Sequence, residues 1–261
     1  MAFALGPKAA QAGHGLIVHD SLDSTNSEAL RQARSGERGP LWIVAREQTA
    51  GRGRRGRQWM SAKGNLMASL LLALPVTPAV AATLGFVASL AVSQTCRELT
   101  SPKVHFSLKW PNDVLADGGK VAGLLLESEA HADDLAVAVG FGVNLAEAPS
   151  GMPYPAQSLA ALGHVVTPEE AFSRLTDAWL SYAALWNEGL GFDAIREAWL
   201  AQARGIGQAI SVRTGERMES GIFETLDEEG RLILRKTDGM IRVFTAGDVY
   251  FGDVTRGGGA S

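Results

Sequence analysis

The sequence predicts an α+β protein: a central mixed or antiparallel sheet packed with helices, followed by a small β-barrel. Two observations carry this. The β-patterned runs between Val104 and Val143 follow one another as hairpins instead of alternating with helices, which excludes a doubly wound parallel sheet. Beyond Arg204–Gln208, five short β-patterned runs are punctuated by Thr214-Gly215, Glu229-Gly230 and Asp238-Gly239, the spacing of a small barrel.

The length of 261 residues suits one large and one small domain. Hydrophobic residues make up 46% and charged residues 20%, an ordinary globular balance. The net charge of −4 argues against a dedicated nucleic-acid protein, whose binding domain is broadly basic. The single cysteine, Cys96, excludes internal disulfides and a cysteine-based metal site. It lies in a helical pattern beside Leu90 and Val92, the place of a buried structural thiol. Met1–Gly15 has no apolar core of signal-peptide length, and no uninterrupted apolar run reaches the roughly 18 residues of a membrane span. The expected compartment is the cytoplasm.

In chain order, Leu16–His19 reads as a short strand, and Thr25-Asn26-Ser27-Glu28 as a capping box opening a helix to about Arg34. Leu41–Ala45 is continuously apolar, as a strand buried on both faces must be. Asn65–Leu74 is a second apolar strand. Thr77-Pro78 starts one long helix to about Leu99, apolar on most faces and therefore deeply packed. Val104–Trp110 alternates with the period of a strand. Asp117-Gly118-Gly119 is a hairpin turn, Lys120–Glu127 the return strand and Leu135–Val143 a strand beside it. Thr167-Pro168-Glu169-Glu170 caps a helix to about Asn187, with Phe172, Leu175, Trp179, Leu180, Tyr182 and Trp186 toward the core. Phe192–Ala203 is a further helix. The barrel runs are Ala209–Arg213, Gly221–Leu226, Leu232–Arg235, Ile241–Thr245 and Asp248–Phe251, and Arg256–Ser261 reads as a disordered tail. The division is thus 1–204, 205–255 and the tail 256–261.

One stretch stands apart chemically. Gly51-Arg52-Gly53-Arg54-Arg55-Gly56-Arg57-Gln58-Trp59 packs three glycines, four arginines and an aromatic into nine residues, with no acidic residue between Gln48 and Arg97. Glycines let backbone N–H groups approach a ligand, and arginines supply planar donor forks for carboxylate and phosphate oxygens. Gly51, Gly53 and Gly56 also spell a dinucleotide fingerprint, but an opening helix and a downstream ribose-binding acid are missing. A nucleic-acid patch, a phosphate clamp in an enzyme and a merely solvated basic loop remain. The glycines and the mutual repulsion of four arginines predict a loop that is mobile when empty and ordered by an anionic ligand.

That loop is followed in order by Lys109-Trp110-Pro111-Asn112-Asp113, Lys120-Val121-Ala122-Gly123 and Gly142-Val143-Asn144, and preceded by Ser24-Thr25-Asn26 and Gln48. The set resembles the biotin–protein ligases, in the form that lacks an N-terminal repressor domain, over about Leu16 to Tyr250. The resemblance implies the biotin–lipoate ligase catalytic core, similar to class II synthetases, with an SH3-like C-terminal barrel. It implies ATP-dependent activation of biotin as biotinyl-5′-AMP and transfer to a lysine of the biotin carboxyl carrier protein of acetyl-CoA carboxylase. It gives Ser24, Thr25, Asn26 and Gln48 as biotin contacts, joined by Arg52, Gly53, Arg54 and Lys120. ATP falls to Arg54, Arg55, Arg57, Trp59, Asn112, Asp113, Lys120 and Asn144, the last of which resembles the adenine reader. Lys120 and Arg54 are the implied catalytic residues. Mg²⁺ arrives with the nucleotide, near Asp113, with no dedicated protein site. Many members place a proline after Trp-x-Ser, where this chain has Ala62.

The residue types suit that chemistry on their own. A carboxylate and an α-phosphate repel each other, so cations must hold them in line, and a mixed anhydride needs a loop that excludes water. No protein nucleophile is required, and His14, His19, His105, His131 and His164 are scattered without a partner pattern. A lipoate–protein ligase is the alternative enzyme, and a non-catalytic nucleotide, effector or nucleic-acid binding module the alternative of another class. No DNA or membrane partner is expected, and a homodimer is admitted.

Overall fold

The computed structural model describes residues 2–131 and 134–251. The chain opens with a helix that the sequence reading left out, α1 (Pro7–Gln11). Five residues carry no periodic signal. What fixes them is distant: Gly6 N–H donates to Thr176 Oγ1 at 2.8 Å and Ala9 N–H to Asp177 Oδ1 at 3.0 Å. β1 (Gly15–His19) follows, then α2 (Thr25–Arg34). The cap of α2 is one residue earlier than the capping box placed it. Ser24 Oγ accepts from Ser27 N–H, while the Thr25 hydroxyl is engaged by Gln48 and Ser69. Glu28 bonds Arg31 and Gln32, so it does not reach back to the cap.

β2 (Leu41–Ala45) is buried throughout and pairs parallel with β1 and antiparallel with β3 (Leu66–Leu74). The long helix expected from Pro78 is two, α3 (Pro78–Ala82) and α4 (Leu84–Glu98). They meet at Thr83, whose hydroxyl donates to Val80 O at 2.6 Å and accepts from Trp186 Nε1 at 2.7 Å. Together they form an apolar segment long enough to cross a membrane, but most of it is buried inside this fold. Cys96 on α4 is fully enclosed, and burial pushes its thiol up to about 12.

The next strands are β4 (Phe106–Lys109), β5 (Asp113–Ala116), β6 (Gly119–His131) and β7 (Asp134–Val143). β4 is shorter than the expected Val104–Trp110, and β6 runs beyond Glu127. β5 was hidden between Pro111 and the turn. That turn puts Asp117 (φ 46°) and Gly118 (φ 84°) in the left-handed region, as a tight two-residue hairpin requires. The sheet order is β1-β2-β3-β7-β6-β5-β4, antiparallel except for β1 and β2. α5 (Pro168–Trp186), capped by Thr167, covers one face with α4, and α6 (Phe192–Leu200), shorter than Phe192–Ala203, packs on both helices. Trp42, Phe141, Phe172 and Trp179 meet there, mostly edge to face, with centroids 5.4–6.4 Å apart.

The second sheet comprises β8 (Ala209–Thr214), β9 (Arg217–Leu226), β10 (Leu232–Arg235), β11 (Ile241–Phe244) and β12 (Asp248–Phe251), ordered β11-β10-β9-β8-β12 and antiparallel throughout. Trp110 joins the two halves: its ring is buried and Nε1–H donates to Gly230 O at 3.0 Å. The tail expected at 256–261 lies outside the described residues.

Candidate active site

A cleft of about 1050 Å³, counted out to its open mouth, lies between the large sheet, the arginine loop and the start of β12. Its floor is made of glycines because side chains approach it too closely for anything larger. A Cβ on Gly140 would stand 2.4 Å from Asn26 Oδ1, one on Gly142 2.4 Å from Trp59 Cε2, and one on Gly123 2.9 Å from Trp59 Cζ3. These glycines on β6 and β7 thus give the Trp59 indole and the Asn26 amide their places.

One end of the cleft is a polar network at the N-terminus of α2. Gln48 Oε1 accepts from Thr25 N–H at 2.7 Å and from the Thr25 hydroxyl at 3.1 Å, and Gln48 Nε2 donates to Ser61 Oγ at 3.0 Å. Ser69, fully buried on β3, sits 2.7 Å from Thr25 Oγ1 and 2.6 Å from Asn26 Oδ1. Asn26 Nδ2 donates to Leu125 O and to Glu127 Oε2. Hydroxyls and amides tied together in this way present fixed donors and acceptors to a neutral polar ligand group.

The arginine loop closes one side. It is a miniature hairpin: Trp59 N–H donates to Gly51 O at 2.9 Å and Gly53 N–H to Arg57 O at 2.7 Å, with a short 3₁₀ turn over Arg54–Gly56. Its charges are answered from outside. Arg52 pairs with Glu127 at 2.7 Å, and Arg55 and Arg57 both reach Asp248 on β12, at 3.3 and 2.8 Å. The expected self-repulsion of the empty loop therefore meets counter-charges supplied by β6 and β12. Burial acts to raise the Asp248 pKa, but the Arg57 hydrogen bond and the neighbouring guanidinium groups outweigh it and hold the carboxyl below its ordinary value. Arg54 has no carboxylate within salt-bridge distance among the described residues. It donates to Asn112 Oδ1 at 3.1 Å and Gly247 O at 3.4 Å, and burial lowers its pKa.

At the centre, Lys120 Nζ lies 2.6 Å from Asp113 Oδ1, both side chains about five-sixths buried at 16% and 15% exposure. The ammonium also sits 5.6 Å from the Trp59 ring centroid and 5.5 Å from that of Tyr154. Lys109 lies close by against Tyr154 and Phe251. Burial lowers its pKa, and Asp113 opposes that effect. Two partly desolvated cations, Arg54 and Lys109, line the same cleft as Lys120. Cations already stripped of water attract an anionic ligand more strongly than the same groups in bulk solvent.

Of the residues singled out in the sequence, Ser24, Thr25, Asn26, Gln48, Arg52, Gly53, Arg54, Arg57, Trp59, Asn112, Asp113 and Lys120 line this one cleft. Arg55 and Asn144 do not. Arg55 turns outward to Asp248. Asn144 is buried just past β7, its Nδ2 donating to Lys120 O and Gln157 O, and its enclosed Oδ1 has no partner. The sequence reading passed over Lys109, Tyr154, Asp248 and Glu127 as site residues. Lys109 stood inside a quoted motif and could have been taken from it, whereas Asp248 carried no local signal. None of the five histidines lines the cleft, and no cluster of three or more His, Cys, Asp or Glu able to hold a metal occurs among the described residues.

Comparison with known proteins agrees with this architecture. Residues 18–144 match the profile of the biotin/lipoate A/B protein ligase family, and residues 205–252 that of the biotin protein ligase C-terminal domain. The chain is 45% identical over 237 residues to the biotin–[acetyl-CoA-carboxylase] ligase of Paracoccus denitrificans, covering 88% of this chain and 98% of that protein. It is 35% identical over 251 residues to the ligase of the same description from Mycobacterium tuberculosis, covering 91% and 90%. Among solved structures it resembles the biotin protein ligase of Aquifex aeolicus in complex with biotin and ATP, with a TM-score of 0.75 and 27% identity over 91% of this chain and 99% of that one.

Proposed function

The chain belongs to the biotin/lipoate A/B protein ligase family, and on that premise we propose that it activates biotin with ATP and transfers it to a carrier protein. Biotin and ATP give biotinyl-5′-AMP and diphosphate. A lysine of the biotin carboxyl carrier protein of acetyl-CoA carboxylase then takes the biotinyl group and AMP leaves. The observation that carries the reading is Lys120, a largely buried cation in the same cleft as a neutral hydrogen-bonding pocket and a cluster of arginines.

The residues divide the work accordingly. Ser24, Thr25, Asn26 and Gln48 supply the fixed donors and acceptors that suit the ureido ring of biotin. Lys120 stands where the biotin carboxylate meets the α-phosphate and offsets the repulsion between them. The carboxylate oxygen bonds to the α-phosphorus as the bond to the leaving diphosphate breaks. Arg54, Arg57 and Lys109 receive the phosphates, with Arg55 behind them on Asp248, and Asn112 orients Arg54. Arg52, Gly53 and Trp59 cover the mixed anhydride and keep water from it. Asn144 supports Lys120 by donating to its backbone carbonyl; its Oδ1 is enclosed outside the cleft, so the adenine-reading role that the resemblance implies would require the site to open around it. In the second step the carrier lysine attacks the acyl carbon, so no nucleophile from this chain is needed. Asp113, whose Oδ1 is paired with Lys120, is the cleft carboxylate that would hold a Mg²⁺ arriving with the nucleotide, where the ion would neutralise phosphate charge.

Residues 1–204 form the catalytic unit in this reading, and 205–255 the small domain. The reading includes a cytoplasmic location, where ATP is available, and no DNA or membrane partner, in keeping with a net charge of −4. Sedimentation velocity tests whether two copies associate. The main experiment incubates the protein with labelled biotin, ATP–Mg²⁺ and a carrier domain. Label is expected on one carrier lysine. Preferred use of lipoate would make it a lipoate ligase, and absence of ATP–diphosphate exchange would make it a binding module. A gel shift on a defined operator at physiological salt would overturn the exclusion of DNA.

A further inference from the structure

Glu127 belongs to neither the cleft lining nor any motif, yet it touches two cleft residues from different elements. It stands on β6, opposite Ala138 of β7. Its Oε2 accepts from Asn26 Nδ2 at 2.9 Å and from Arg52 Nη2 at 2.7 Å. A carboxylate only accepts, so these two donors can share one oxygen without conflict. The other hydrogen of the Asn26 amide goes to Leu125 O at 3.1 Å, and Asn26 Oδ1 is left to Ser69 Oγ and the bare Cα of Gly140. Turning that amide over would set its oxygen against two acceptors. Glu127 therefore selects one orientation of Asn26. The same oxygen holds Arg52, the first arginine of the loop, and is its carboxylate partner among the described residues.

We propose that Glu127 is a positioning residue that latches the arginine loop to the pocket at the N-terminus of α2, so that seating the loop and orienting Asn26 are one event. The inference rests on the reading that this pocket receives biotin. It assigns Glu127 to biotin capture and not to nucleotide binding, since neither of its partners is among the groups gathered around Lys120 and Asp113. The pair is 42% and 30% exposed. Exposed ion pairs contribute little to folding, so the latch separates from stability.

The test is steady-state ATP–diphosphate exchange by the full chain with Glu127→Gln, Arg52→Ala and the double variant, beside the thermal midpoint without ligand. Glutamine keeps the volume but loses the charge. Loss of a charge-assisted hydrogen bond is expected to raise the biotin KM about tenfold. The ATP KM should stay within about twofold and the midpoint within about 3 °C. The double variant should be no worse than the more impaired single one, because both remove the same latch. A biotin KM within about twofold of the unaltered protein, equal rises in both KM values, a midpoint loss beyond about 5 °C, or additive effects would each overturn the latch. Absence of biotin-dependent exchange in the unaltered protein would instead overturn the parent reading, and the latch with it.

Discussion

Replacing Gly142 with alanine puts a methyl group into space that the Trp59 indole already fills. The added Cβ would stand 2.4 Å from Cε2, 2.6 Å from Cζ2 and 2.7 Å from Nε1 of that ring. Carbon atoms in contact prefer roughly 3.5–4.0 Å, so the indole must retreat by about 1 Å or more. Gly142 is in ordinary strand conformation, paired with Met67 and Gly123, so alanine strains no backbone torsion. Overpacking of this kind costs about 1–3 kcal/mol. Trp59 is half-buried and carried on a loop, so the ring yields before the strand does. The cost then falls on the seated loop and on Lys120, which rests against the same ring. Expressed in kcat/KM for ATP–diphosphate exchange, about 1–3 kcal/mol is a loss of roughly 5- to 150-fold. The thermal midpoint should move by less than about 3 °C. The decisive control is the same substitution in a Trp59→Ala background, where the methyl meets no ring and should cost nothing further. Exchange within about threefold of the unaltered protein, or an equal loss in the Trp59→Ala background, would refute the reasoning.

Lys120→Ala should lower adenylate formation more than about a hundredfold while the protein stays folded. The stranded Asp113 costs about 1–3 kcal/mol in a melting experiment; normal exchange would remove Lys120 from the chemistry. Arg54→Gly unties the loop from Asn112 and Gly247, so biotinyl-AMP should escape and label bystander lysines in a mixture with the carrier. A parallel loss of adenylate and carrier labelling without leakage would place Arg54 in the first chemical step instead. Arg31 holds the Asp23 carboxyl down to about 2, and Asp248 is likewise held below its ordinary value. Depressed carboxyl groups stabilise the fold above their unfolded pKa, so the thermal midpoint should be level from pH 7 to about 5 and fall below about pH 4. Asp248→Asn should shrink that acid-side drop. An unchanged pH profile would assign the drop to other groups.

Much of the half built on the large sheet was legible because its signals are local. Leu41–Ala45 is continuously apolar and is buried on both faces, and the Asp117-Gly118 turn announces the hairpin that delivers Lys120. What escaped depends on distant partners. The break at Thr83 comes from a tryptophan 103 residues away, and α1 is held by Thr176 and Asp177. The charge balance of the loop could not be read either: Arg55 meets Asp248 across 193 residues, and nothing around Asp248 marks it as a partner of arginine. Glu127 was read only as the end of a strand, because a carboxylate on a β-strand is ordinarily a solvent-facing one. The glycines of the floor stood in view, but the ring and the amide that require all three come from Trp59 and Asn26, on other segments.

The lacing of the arginine loop has a mechanical corollary. Its base is stitched by Trp59 to Gly51 and by Gly53 to Arg57, and the tip, Arg54–Gly56, is closed only by the longer bond from Arg57 N–H to Arg54 O at 3.3 Å. The bonds at the base make it the hinge of a short flap, so few torsions would remain to be immobilised if it covers a ligand. It also separates two design problems. The stitched base sets where the flap lies, and the three-residue tip sets what it grips, so tips of altered charge could be exchanged as cassettes while the hinge is left alone.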